Sequence, residues 1–156
     1  MLRKSVLLFA LVLSAAPAFA ADYSVGAIKI HDPWSRATPK GAPIGGGYVT
    51  ITNTGTTPDR LTGGTTDSAK KFEIHEMKME GSVMRMRELT DGIVIPPGAT
   101  VELKPGSYHI MMTTLARPFA QGDRVKASLT FERAGKVDIE FAVDAAGGGG
   151  TKDHKH

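Results

Sequence analysis

Nowhere in this chain do apolar residues recur every three to four positions for long enough to make an amphipathic helix. What recurs instead is the short run rich in β-branched and aromatic residues, cut off by Gly, Pro, Asn or Asp. Tyr23–Ile30 alternates weakly and reads as a first strand. Pro33-Trp34 and a turn-rich stretch from Thr38 to Gly47 follow. Tyr48–Thr52 (Tyr-Val-Thr-Ile-Thr) is a strong strand signal ended by Asn53-Thr54-Gly55. A polar segment around Arg60–Ser68 leads into the runs Lys71–Met79 and Val83–Leu89. Pro96-Pro97-Gly98 and Pro105-Gly106 bracket Thr100–Leu103, and Tyr108–Thr113 comes next. Arg124–Phe131 and Lys136–Val143 close the pattern around a turn at Arg133-Ala134-Gly135. Many short strands at this spacing predict an all-β sandwich or barrel.

The two ends read differently from the middle. Met1-Leu2-Arg3-Lys4 is a basic start, Ser5–Leu13 is mostly apolar, and Ala18-Phe19-Ala20 fits small-x-small cleavage. Residues 1–20 are therefore expected to be an export signal, with the mature chain starting at Ala21. No later stretch supplies the roughly 20 apolar residues of a spanning helix, so no membrane span is expected in the mature chain. Cleavage leaves 136 of the 156 residues and removes Arg3 and Lys4, which lowers the formal charge from +3 to +1. That length suits one domain, expected over residues 21–144. Residues 145–156 (Ala-Ala-Gly-Gly-Gly-Gly-Thr-Lys-Asp-His-Lys-His in sequence from Ala145, Ala146) read as a flexible glycine linker and polar tail. No basic stripe with interleaved aromatics is present, which argues against nucleic acid as a partner. There is no cysteine, so thiolate can neither hold a metal nor act as a nucleophile.

Apart from Met1, all methionines fall at positions 77, 79, 84, 86, 111 and 112, with His75 and His109 beside them. Methionine normally scatters through cores as adaptable filler. Strand phase sorts this cluster, because successive side chains point to opposite faces. Phe72 and Ile74 share one face of their run; His75, Met77 and Met79 share the other. Met84 and Met86 lie opposite Arg85 and Arg87. His109 and Met111 lie opposite Tyr108, Ile110 and Met112, which makes Met112 a core residue. A two-residue loop at Glu80-Gly81 predicts that Met79 faces Ser82, Met77 faces Met84 and His75 faces Met86. The other reading of the pattern is a methionine stripe turned toward a second sheet; against it, Phe72 and Ile74 already claim the opposite face.

Thioether is a soft, neutral ligand. With imidazole it suits Cu(I), whereas Mg, Ca and Mn want oxygen and zinc prefers cysteine, histidine and carboxylate. Two histidines with two methionines add no ligand charge, so a Cu(I) complex keeps a net charge of only one. A blue-copper electron-transfer centre needs a cysteine thiolate, and the chain has none.

These residues resemble the periplasmic copper chaperones of the PCu(A)C type, whose motif is a histidine, ten residues, a methionine, about twenty-one residues and His-x-Met. Ten residues separate His75 from Met86, twenty-two separate Met86 from His109, and His109-Ile110-Met111 is the His-x-Met. The extra residue is expected in the turn at Thr90-Asp91-Gly92. His75-Glu76-Met77-Lys78-Met79, Ile95-Pro96-Pro97-Gly98, Leu103-Lys104-Pro105-Gly106, Pro33-Trp34-Ser35-Arg36-Ala37-Thr38 and Gly47-Tyr48 match as well. The resemblance runs from about Ile28 to Val143. It implies a cupredoxin-like, Greek-key β-sandwich, Cu(I) held by His75, Met86, His109 and Met111, a periplasmic location, and delivery to the CuA centre of cytochrome c oxidase.

Met77, Met79 and Met84 then remain as secondary ligands or as a soft rim for a partner. His154 and His156 in the tail supply nitrogen that could take Cu(II), or they are simply solvated. His31 reads as structural, and Trp34 as core or as a cover over a sheet end. No Ser-His-Asp set, suggestive carboxylate pair or phosphate loop supports an enzyme. Copper storage or buffering is the alternative to directed delivery, and sequence does not separate the two.

Overall fold

The computed structural model describes residues 22–147; the expected export signal and the tail histidines His154 and His156 lie outside them. The described residues form eleven strands: β1 (Tyr23–Val25), β2 (Ile28–Arg36), β3 (Ile44–Asn53), β4 (Asp59–Thr65), β5 (Ala69–Glu80), β6 (Val83–Glu88), β7 (Ile93–Ile95), β8 (Thr100–Leu103), β9 (Tyr108–Leu115), β10 (Arg124–Phe131) and β11 (Gly135–Asp144). Their order along the sheet is β6-β5-β9-β3-β2-β11-β10-β4-β7, with β1 added to β2 and β8 to β3. All pairings are antiparallel except β11 with β2.

Alternation decides what goes inside. Val125, Ala127, Leu129 and Phe131 of β10, Ile139, Phe141 and Val143 of β11, and Val49 and Ile51 of β3 are buried at every second position. They join Ile28, Ile30, Leu61, Ile74, Ile110, Met112 and Phe119 in one core. Each such side chain contributes about 1.5–3 kcal/mol by leaving water. The sheet folds back on itself to enclose them. Phe72 of β5 packs against the bare backbone of Gly64 in β4, and Phe141 of β11 approaches Gly47 of β3 beside Ile110. The expected all-β, cupredoxin-like sandwich is the fold observed.

Three local expectations need correction. Tyr23–Ile30 is a hairpin rather than one strand: Gly26 turns the chain at φ 54° and Tyr23 pairs with Ile30. Pro33-Trp34 lies within β2, where the register shifts between His31 and Trp34 and Asp32 takes φ 47°. A bulge is where a strand tolerates proline. The polar segment after Arg60 contains β4. Its apolar signal is weak because Leu61 is its one buried apolar side chain and Gly63 and Gly64 follow it. Its first residue, Asp59, is buried and accepts hydrogen bonds from the backbone N–H groups of Arg60, Arg133 and Ala134 at 2.7, 2.9 and 2.9 Å.

Candidate metal centre

The β5–β6 hairpin turns at Gly81-Ser82. Glu80 faces Val83, Met79 faces Met84, Met77 faces Met86, and His75 faces Glu88. The expected loop at Glu80-Gly81 is thus displaced by one residue, and the partners of each β5 residue by two. Backbone geometry explains the choice. The first central position of a tight hairpin turn wants positive φ, and Gly81 supplies φ 65° there. A Glu80-Gly81 loop would put a Cβ-bearing glutamate in that position. The shift is even, so the residues that share a face still share it.

On its other side β5 pairs with β9, which sets His75 directly opposite His109 and Glu73 opposite Met111. One sheet face therefore carries Glu73, His75, Met77 and Met79 from β5, Met84, Met86 and Glu88 from β6, and His109 and Met111 from β9. The imidazole centroids are 5.7 Å apart with a 35° tilt. Both histidines are buried, at 8% and 9% exposure. Met77 and Met111 are half-buried, while Met86 is 51% exposed. Met86 sits diagonally from His75, a relation that separates the two residues by roughly 7–8 Å, their Cβ atoms by somewhat less, and lies within reach of a long side chain.

Hydrogen bonds assign the imidazole nitrogens. The Ser107 carbonyl accepts from the His109 Nδ1–H at 3.2 Å and from the Met77 backbone N–H at 3.1 Å. With Nδ1 protonated, the lone pair of His109 is on Nε2. Burial pushes the His109 imidazole below its ordinary pKa, the Ser107 bond opposes that, and the adjacent His75 adds to the lowering. The ring is thus held neutral, the form that binds a metal. His75 Nε2 donates to the Glu73 carboxylate at 3.0 Å, and its Nδ1 is buried without a hydrogen-bond partner. A histidine held through one nitrogen by a carboxylate, with the other nitrogen free, has the arrangement of a metal ligand supported from behind.

Among the described residues, no group of three His, Cys, Asp or Glu side chains could hold a metal ion. A metal held on this face would need the thioethers, and a donor set of imidazole and thioether selects soft ions. Sequence reasoning missed Glu73 and Ser107. Glu73 was legible, being two residues before His75 and so on its face. Ser107 was not, because its carbonyl reaches the site only through the β8–β9 turn.

Beyond Met111 the same face reaches an aromatic pair. Gly46 of β3 lies opposite Met111, and a Cβ there would come within 2.9 Å of the Tyr48 hydroxyl. Tyr48 stacks on Trp34 at 4.4 Å between ring centroids and 34°, with the Arg36 guanidinium 6.0 Å from the Trp34 ring. Trp34 is half-buried in this pair rather than sunk in the core. Met112 is fully buried on the opposite face. His31 is far from the cluster and pairs with Asp22 at 2.9 Å.

Solved structures of known proteins share this arrangement of strands. The copper-bound PCuAC domain from PmoF2 is 30% identical, with a TM-score of 0.68 over 80% of this chain and 98% of that domain. Apo-DR1885 from Deinococcus radiodurans superposes with a TM-score of 0.60 at 21% identity, covering 93% of this chain and 97% of that one. The fold is that of a PCuAC-type domain. The chain belongs to the LpqE-like family ("Putative lipoprotein LpqE-like"), whose model matches residues 28–143. A curated relative, "Putative lipoprotein Lxx21020" from Leifsonia xyli subsp. xyli (strain CTCB07), is 30% identical over 116 residues, 74% of this chain and 69% of that protein.

Proposed function

We propose that this chain is an exported Cu(I) carrier that binds one ion through His75, Met86, His109 and Met111 and hands it to an acceptor protein. The carrying observation is the buried pair His75–His109, set across adjacent strands and flanked on the same face by Met111 and Met86. Four neutral donors of this type favour Cu(I) over harder or more highly charged ions. The copper-bound PCuAC domain from PmoF2 supports copper as the metal.

Handover follows from uneven burial. The histidines are buried, Met111 is half-buried, and Met86 stands half in water on an edge strand. An incoming thiolate, a stronger donor for Cu(I) than a thioether, displaces Met86 first and then draws the ion off the histidines. The acceptor that fits this chemistry is a cysteine-bearing copper site such as the CuA centre of cytochrome c oxidase. Export is supported by the sequence of residues 1–20 and by the lipoprotein names of the family and of its relative, and the periplasm is the compartment proposed. His154 and His156 are proposed as a separate, weaker Cu(II) site.

The test is Cu(I) and Cu(II) affinity and stoichiometry for the protein, for His75→Ala/Met86→Ala and for a chain ended at Val143. Tight Cu(I) binding should vanish in the double variant and survive truncation; unchanged Cu(I) affinity in the double variant overturns the site. Transfer to an apo CuA domain separates delivery from buffering. If the acceptor loads no faster from the carrier than from free Cu(I), storage is the better description.

A further inference from the structure

We propose that Met77, Met79 and Met84 form a second soft-metal site at the tip of the β5–β6 hairpin, a landing position that takes Cu(I) before the ion reaches the histidines. The inference deepens the copper-carrier reading and rests on it.

The pairing of the hairpin provides the first argument. Met79 and Met84 are directly opposed, as are Met77 and Met86. Opposed residues project to the same side with Cβ atoms about 4.5–5.5 Å apart. Methionine has three flexible side-chain bonds, so three sulfurs from these two rungs can converge on one ion. The tip rung is four residues along β5 from His75. At about 3.3 Å per residue that is roughly 13 Å, too far for Met79 or Met84 to share an ion held by His75 and His109. Repulsion between two such ions is weak, since the separation is about a Debye length in ordinary salt.

Exposure provides the second. Met79 is 53% exposed and Met84 47%, and every residue of β6 is exposed. β6 ends the strand order, so among the described residues its outer edge has no neighbouring strand. Such edges are normally guarded by charge. Here the guarding charges stand on the opposite face, where Arg87 pairs with Glu76 and Arg85 with Glu80, each at 2.8 Å. Among the described residues of β5 and β6, the methionine face has no charged side chain between the tip and Glu73 and Glu88, the carboxylates that flank His75. Burial rises along it from Met79 through half-buried Met77 to His75 at 8% exposure. A cation moving inward meets neutral sulfur first and the acid-flanked histidines last.

The experiment titrates the full mature chain with Ag(I), a redox-inert stand-in for Cu(I). It follows methionine methyl carbons and histidine rings by NMR and stoichiometry by native mass spectrometry. The protein is compared with Met79→Leu/Met84→Leu, an exposed, nearly isosteric change that keeps the fold. The expected result is two bound ions: the first moves the His75 and His109 signals, the second moves the Met79 and Met84 methyls. The leucine variant should bind one ion, with first-site affinity unchanged within about threefold. Two ions in the leucine variant, or Met79 and Met84 methyls that never move while the histidines respond, overturns the tip site and leaves the carrier reading intact. Histidine signals that stay still, with no tightly bound ion, overturn both.

Discussion

Replacing Glu73 by alanine isolates the one carboxylate that holds a histidine of the candidate centre. The Glu73 carboxylate accepts from His75 Nε2 at 3.0 Å, and the two side chains are only 21% and 11% exposed. Their bond is therefore little screened by water, and it dictates which nitrogen of His75 keeps a lone pair. Removing it frees the ring to turn and to exchange tautomers. Partners of this kind contribute roughly 10–100-fold in metal affinity, which at 1.4 kcal/mol per tenfold is about 1.4–2.8 kcal/mol. Glu73→Ala should weaken Cu(I) binding by that factor in competition against a chromophoric chelator. Glu73→Gln, which keeps an acceptor and loses only the charge, should fall near the lower end. A second readout needs no copper: imidazole nitrogen NMR of the apo protein should show one His75 tautomer in the parent and a mixture in Glu73→Ala. Parent-like affinity together with an unchanged tautomer would refute the assignment of Glu73 as the residue that positions His75.

The His109 imidazole, held below its ordinary pKa by burial, makes apo stability depend on pH. The unfolded chain binds the proton more readily, so stability is full above the unfolded value of about 6.5 and declines as pH falls through it toward the folded value. Thermal melts between pH 8 and 5 should show this decline, and His109→Phe should flatten it. Gly92→Ala should destabilise by about 2–3 kcal/mol in urea melts, because Gly92 holds φ 75° and an added Cβ would run into the Leu61 carbonyl. Phe141→Ala removes a fully buried ring beside Gly47 and should cost about 3–5 kcal/mol by the same measurement. A loss under about 1 kcal/mol at either position would mean the core is more plastic than its packing indicates.

Much of the centre can be read from residue order alone. Two-residue periodicity puts His75 with Met77 and Met79, Met84 with Met86, and His109 with Met111, because the pleat leaves a strand no other choice. It also sends Ile74, Ile110 and Met112 inward. The absence of cysteine, together with the softness of the donors, narrows the metal before any fold is considered. The short runs divided by glycine and proline are enough to predict an all-β sandwich or barrel.

Tertiary structure decided how those stripes meet. The hairpin register depended on which residue could take positive φ at the turn, and Gly81 in the first central position moved Met86 from opposite His75 to opposite Met77. The pairing of His75 with His109 joins residues 34 positions apart, and only the β5–β9 ladder fixes it. β4 was invisible as a strand because it gives the core one apolar side chain, Leu61, followed by Gly63 and Gly64, rather than a row of apolar side chains. The Ser107 carbonyl and the Trp34–Tyr48 pair joined the neighbourhood of the site through turns and strand order, which no local pattern encodes. Local sterics choose the face of each side chain; only the assembled sheet chooses its neighbours, and metal chemistry depends on neighbours.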